Sequence, residues 1–237
     1  MERGDNSDTH LTTGNTQTIG TASPLVPTSS LGTANLLGAS TEYLGDPSIP
    51  ENMSADIPAD QNTSLYVCGL GPDTKFSDIL SAIRGVGKIY ALHVNPPSDF
   101  HPGSAAKICF FTRAAAEKFY NITRGGFLVK GWLAAVVWNR IRVPEQTIHK
   151  DASRVVIIRG PKYVVNIKVI SKVIDENIRY YDMEKASVKT HDFIEGFAEM
   201  ELHFACFRAQ AHSAVIVLNR ELRGAGFRIS YGTDRCE

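Results

Sequence analysis

The sequence predicts an α+β protein in which the order β-α-β-β-α-β occurs twice behind a disordered acidic tail. Three observations predict it. Composition changes abruptly near residue 61, charge segregates along the chain, and the same succession of apolar patterns runs through residues 61–145 and again through 152–237.

The whole chain has net charge zero, with 21% charged and 43% hydrophobic residues, an ordinary globular balance. Its parts are not neutral. Residues 1–60 carry one base, Arg3, against eight acids, a balance of −7. Residues 61–143 carry ten Lys/Arg against four Asp/Glu, or +6, and residues 144–237 carry fourteen against thirteen, or +1. The basic segment is where an anionic partner is expected.

Residues 1–60 are rich in Ser, Thr, Asn, Gly and Pro, and contain no Lys. Such a segment buries too little apolar surface to offset ordering entropy, roughly 1–2 kcal/mol per backbone residue, and is expected to be disordered. Its short apolar patches, Leu36–Gly38 and Tyr43–Gly45, read either as docking motifs or as parts of a solvated tail. The start lacks both a basic n-region and an apolar core, so no signal peptide is expected. No apolar run is long enough to span a bilayer, so an intracellular, soluble protein is expected, nuclear or cytoplasmic, without a membrane partner. Cys68, Cys109, Cys206 and Cys236 form no CxxC pair, and no His completes a zinc site. They read as free thiols, and no cofactor or metal is expected.

From Thr63 the elements follow in order. Ser64–Leu70 is a β-branched and aromatic strand stopped by Gly71-Pro72. Asp73 and Thr74 cap a helix with Ile79, Leu80 and Ile83 at helical spacing, up to Gly85–Gly87. Lys88–Val94 reads as a second strand, and Asn95–Ser104, with three prolines, as a long loop. Ala105–Thr112 is a third strand, Ala114–Ile122 a second helix and Leu133–Trp138 a closing strand. This order is the split βαβ, or ferredoxin-like, unit. After a linker around Pro144–Asp151 it returns. Arg154–Ile158, Met183–Lys189, Ala198–Phe204 and Phe227–Tyr231 read as strands, and Val165–Ile178 and Arg208–Asn219 as helices.

Two stretches of the first unit carry a family resemblance. Leu65-Tyr-Val-Cys-Gly-Leu70 fits the six-residue motif of the first strand of an RNA-recognition motif (RRM). Ser104–Phe111 followed by Thr112–Glu117 lies where the eight-residue third-strand motif and second helix belong. Residues 63–143 thus resemble an RRM, and the chain resembles the tandem RRM-like proteins of filamentous fungi, with a degenerate second domain. The resemblance implies single-stranded RNA held by aromatics on an open sheet face, with Lys and Arg at the phosphates.

Strand alternation then names candidates. Tyr66 and Cys68 are expected outward on the first strand. On the third, Ser104, Ala106, Ile108 and Phe110 are expected outward, and Lys107 and Cys109 inward. Ala106 and Ile108 stand where the family supplies aromatics, so Tyr66, helped by Phe110, carries the stacking. An inward Lys107 is costly to bury; it either snorkels to an edge or signals a register one residue off, with Ile108 and Phe110 buried instead. Beyond the closing strand, Trp138, Asn139, Arg140 and Arg142 offer a stacking ring, a base-edge hydrogen bonder and two phosphate forks. Against this, Trp138 and Ile141 could simply cap the core while the arginines are solvated. Tyr90 and His93 are secondary candidates.

The second unit matches the fold without that chemistry. Val156 and Ile158 are expected outward, and Glu199 and Glu201 occupy the third-strand positions where aromatics belong. Two carboxylates repel a phosphate backbone, so this face suggests a protein partner. No enzymatic motif is complete: Gly69-Leu-Gly71 and Gly85-Val-Gly87-Lys88 make neither a dinucleotide fingerprint nor a P-loop. Glu199 and Glu201 read as two acids on a solvated strand rather than as a general acid–base pair. A non-enzymatic RNA-binding protein is therefore expected, the alternative being a protein-interaction scaffold with both sheet faces covered.

Overall fold

The computed structural model describes residues 53–147, 150–190 and 196–237. The expected tail lies outside them up to residue 52. Residues 54–63, though, already belong to the first domain, running beside 139–143. Ala55 N–H donates to the Arg142 carbonyl at 3.0 Å and Thr63 N–H to the Val143 carbonyl at 2.8 Å. The Asn62 side-chain oxygen accepts from the Ser64 and Val143 N–H groups at 3.0 and 3.1 Å. Composition could not show this, because the segment is held by backbone pairing rather than by apolar burial.

The first domain comprises β1 (Ser64–Leu70), α1 (Phe76–Ala82), β2 (Ile89–Asn95), β3 (Ser104–Phe110), α2 (Arg113–Ile122), β4 (Phe127–Val129) and β5 (Trp132–Trp138). Its sheet runs β2-β3-β1-β5-β4. The short β4 was not legible in the sequence. It exists because Lys130 and Gly131, both at positive φ (48° and 84°), close a two-residue hairpin between Val129 and Trp132. The second domain comprises β6 (Val155–Pro161), α3 (Ile167–Asn177), β7 (Met183–Thr190), β8 (Phe197–Phe204), α4 (His212–Glu221) and β9 (Arg228–Tyr231), in the order β7-β8-β6-β9. The helix expected from Arg208 starts only at His212, because Arg208 and Ala209 have non-helical backbones, with Ala209 at φ 59°. Each sheet buries one face under its two helices. Leu65, Val67, Ala106, Ile108 and Phe110 face α1 and α2, and Val156, Ile158, Met200 and Leu202 face α3 and α4.

The domains are stapled together. Phe207, just after β8, is 2% exposed and packs on Tyr90 and Phe111 of the first domain, with ring centroids 6.2 and 5.2 Å away. Tyr90 reaches it because β2 carries a bulge there, between the pairs Ile89–Phe110 and Ala91–Cys109. The C-terminal segment is the second staple. Cys236 is fully buried in the first domain's core, its carbonyl accepting from Val86 and Gly87 N–H at 2.6 and 2.8 Å. The buried Asp234 carboxylate accepts from Arg154 Nε at 2.8 Å, from Cys236 N–H at 3.1 Å and, across the interface, from Ile89 N–H at 3.1 Å. Arg154 is itself fully buried, and donates also to Glu184 and the Phe204 carbonyl, each at 2.8 Å. Glu184 sits at a bulge of β7, between the pairs Met183–Phe204 and Lys185–His203.

Burial also fixes the thiols. It pushes Cys206 up to about 11 and Cys236 to about 12, and Cys109 upward too. Cys109, Cys206 and Cys236 are buried, while Cys68 is partly exposed. With a thiol-specific reagent on the native chain, these three should label only at the rate of unfolding, and all four promptly in denaturant.

Candidate nucleic-acid interface

The first domain's open face follows from strand pairing. Tyr66 lies opposite Val137 on one side and Lys107 on the other, and Lys107 lies opposite His93. Directly paired residues share a face, so Val137, Tyr66, Lys107 and His93 form one row across four strands. The next row is Ala135, Cys68, Ala105 and Asn95. Tyr66, Cys68 and Lys107 are half-buried, His93 is exposed, and Val137 is 46% exposed. A row further down, Ser64 and Cys109 are buried. Arg208, on the turn after β8, lies close enough to influence both the Cys109 thiol and the Tyr90 phenol.

The third-strand register therefore differs from expectation by one residue. Ile108 and Phe110, expected outward, are fully buried in the core with Ala106, and Lys107 takes the outward place. The physical reason is the cost of burying an ammonium, which outweighs any choice between two equally apolar sets of neighbours. Ser104, also expected outward, is 2% exposed. Tyr66 and Cys68 lie as expected.

The segment after β5 is more structural than its composition suggested. Trp138 pairs with Leu65 and packs on the helix side of the sheet, 5.2 Å from Tyr120, with the Arg113 guanidinium 3.8 Å above its ring. Asn139 donates to the Ser64 hydroxyl at 3.1 Å and accepts from Ile141 N–H at 3.0 Å. Arg142 donates to the Ile57 carbonyl. Arg140 remains exposed. These residues line a groove of about 470 Å³ at the domain's edge together with Arg113, Asn62, Ala59 and Asp60. They form a basic flank distinct from the sheet face. Sequence reasoning missed Arg113, whose signal was its position one turn before the buried face of α2.

In the second domain, Val156 and Ile158 are buried rather than outward. Ile157 and Arg159 take the open face, opposite Glu201 and Glu199 as pairing requires. The two carboxylates are outward as expected, but answered. Glu199 accepts from Arg159 at 2.6 Å, and Glu201 meets His203 at 2.7 Å and Lys189 at 4.0 Å. Gly232 crosses this face, so close that an added Cβ would meet Val155 and Ile157 side chains at 2.8 and 3.0 Å. Among the described residues, the rows of Ile157 and Arg159 carry no aromatic; Phe197, opposite Pro161 one row further along the same face, is 38% exposed.

Strand order and helix placement decide the fold: each domain has four strands ordered 2-3-1-4 within its own unit (β4 adding an edge to the first), with two helices over one face. Both domains have the RRM-like fold. No family model and no curated protein matches the sequence. Several solved structures resemble the chain at low identity. They include the first two RRM domains of a yeast poly(U)-binding protein (14% identity, 72% of this chain and 99% of that one, TM-score 0.30). Others are an Sxl-lethal protein–RNA complex (15% identity, 72% and 99%, TM-score 0.28) and RNA-recognition domains 1 and 2 of Sex-lethal from Drosophila melanogaster (12%, 72% and 100%, TM-score 0.27). Among the described residues no helix is long and apolar enough to cross a membrane, and no cluster could hold a metal ion.

Between the RRM-like domains lies a second groove of about 490 Å³, with His93 and Lys75 on one wall and Tyr180 and Asp182 on the other. Tyr180 donates to Asp182 at 2.7 Å, and that bond, with burial, pushes its phenol up to about 12. Burial and a 2.6 Å bond to Asp175 do the same for Tyr181. Between roughly pH 10 and 12 the unfolded chain loses these protons while the folded chain keeps them. Their contribution to stability is thus complete below the ordinary phenol range and lost as pH rises through about 12. In an alkaline titration, tyrosinate absorbance should show a late-ionising fraction that shrinks in Asp182→Asn; an unchanged late fraction would contradict the assignment.

Proposed function

We propose that this protein binds single-stranded RNA on the open sheet face of its first domain. The observation that carries the reading is the row Tyr66, Lys107 and His93: a ring for a base, an ammonium for a phosphate and an imidazole, side by side on three strands. Single-stranded nucleic acid needs this combination of stacking platform and cation. One principal aromatic implies modest affinity and weak sequence preference. Arg140 and the basic flank extend the positive surface beyond β5. The second domain, with ion-paired carboxylates and its own C-terminal segment on the corresponding face, contributes by fixing the first and by Arg208 at the boundary.

The second reading, a protein-binding scaffold, is favoured by one observation. Leu128, Leu133 and Val137 are 63, 66 and 46% exposed at the β4–β5 side of the same face. Anisotropy titration of the full chain with short random single-stranded RNAs at two salt concentrations separates the two. Tyr66→Ala should weaken binding by about 1–3 kcal/mol, roughly 5- to 150-fold. Lys107→Ala should reduce the salt dependence by about one released counterion. Binding absent, or indifferent to Tyr66, would leave the scaffold reading.

A further inference from the structure

We infer that the acidic N-terminal segment, residues 1–52, docks on the open sheet face of the first domain and competes there with the proposed RNA ligand. Three observations converge. The face combines an apolar strip, Leu128, Leu133, Val137 and Cys68, with Lys107 and His93 beside it. The segment is its complement. It carries six acids and one base, and its Tyr43-Leu44 pair lies between Glu42 and Asp46, with Leu36-Leu37 a little upstream. Finally, the described chain starts at the flank that adjoins this face at the end of β5. Ser54 Oγ lies 3.3 Å from the Arg140 carbonyl and accepts from Arg142 N–H at 3.0 Å, two to four residues beyond the end of β5.

The reach is ample. The nine Cα–Cα steps from Leu44 to Met53 span up to about 30 Å extended, while a four-stranded face is about 15–20 Å wide and β5 runs back about 17 Å from Trp138 to Leu133. Tethering also makes weak contacts count. At an effective concentration of about 1 mM, a contact with an intrinsic Kd near 0.2 mM leaves the face uncovered only about one-sixth of the time. The face then opens when RNA, or a partner of the tail, outcompetes a contact held by only a few side chains.

Cys68 reports the coverage directly, because it lies on this face and the other three thiols are buried. The experiment compares alkylation rates of Cys68 in the full chain and in a full-length variant carrying Leu36→Ser, Leu37→Ser, Tyr43→Ser and Leu44→Ser, with Cys68→Ser identifying the reacting site. These substitutions lie outside the described residues, and equal urea midpoints of the two chains would show that the fold is unchanged. The variant should label about five- to sixfold faster, and bind RNA tighter by a similar factor. Equal labelling rates would overturn the inference, and rates that instead fall with protein concentration in both chains would assign the face to a second copy. The RNA reading fails separately: faster labelling without RNA binding in either chain would leave tail docking standing alone.

Discussion

Replacing Asp234 with Ala should cost about 3–5 kcal/mol of stability, the loss expected when one member of a buried ion pair is removed. Asp234 and Arg154 are both fully buried on their side chains and 2.8 Å apart. Burial opposes the guanidinium's charge, and the Asp234 and Glu184 carboxylates outweigh it, holding its pKa up. Without Asp234 the guanidinium keeps Glu184, while the N–H groups of Ile89 and Cys236 lose their acceptor in a dry interface. With an m-value near 2–3 kcal/mol/M, the urea midpoint should fall by about 1–2 M. Asp234→Asn, which retains an acceptor oxygen, should lose less. A midpoint shift in Asp234→Ala no larger than that of an exposed substitution would show that the C-terminal staple is not holding the domains.

The distance between Arg154 and Asp234 explains which parts of this protein were legible in its sequence. The order of four strands and two helices in each unit was readable, because it depends on local periodicity and stops at glycine; the short β4 was not, and Lys75 rather than Asp73 or Thr74 takes the N-cap of α1. Facing was not readable where a strand is apolar on both sides. In β3, Ala106, Ile108 and Phe110 compete with Ala105 and Cys109, and only Lys107 breaks the tie. In β6 four apolar residues run from Val155 to Ile158, and the tie is broken by Arg159, which must face out and takes Ile157 with it. In both strands the charged residue held the information that the apolar ones lacked. The bulges that swing Tyr90 and Glu184 toward the interface are set by cross-strand pairing, so no local pattern announces them.

The candidate site divides along the same line. Tyr66 and Cys68 were legible because their motif is local. Trp138 misled, since an aromatic after the last strand suits either a ligand or the helix side, and its pairing with the core residue Leu65 chooses the latter. His93 joins the row only through its pairing with Lys107, and Arg208 comes from the other domain altogether. A site assembled across strands and domains is visible in sequence only as far as each strand carries its own signal.

The same interface supports the other large expected effect. Phe207→Ala should destabilise the chain by about 3–5 kcal/mol, as truncation of a buried Phe does. Its ring lies among Tyr90 and Phe111 of the first domain and His212 and Tyr231 of the second, at 5.2–6.2 Å between centroids. The cavity would therefore open between domains rather than inside one. Cys109 and Cys206, buried beside this contact, should then react with alkylating reagents well before global unfolding, while Cys236, held by its own backbone bonds, should stay protected. Phe207→Leu should recover much of the loss. If Cys109 and Cys206 stay protected in Phe207→Ala until the whole chain unfolds, the domains open only as one cooperative unit. If the first domain binds RNA as proposed, affinity should also drop in Phe207→Ala at temperatures where the chain remains folded, because Arg208, whose charge reaches the Cys109 thiol and the Tyr90 phenol, is positioned by the ring beside it.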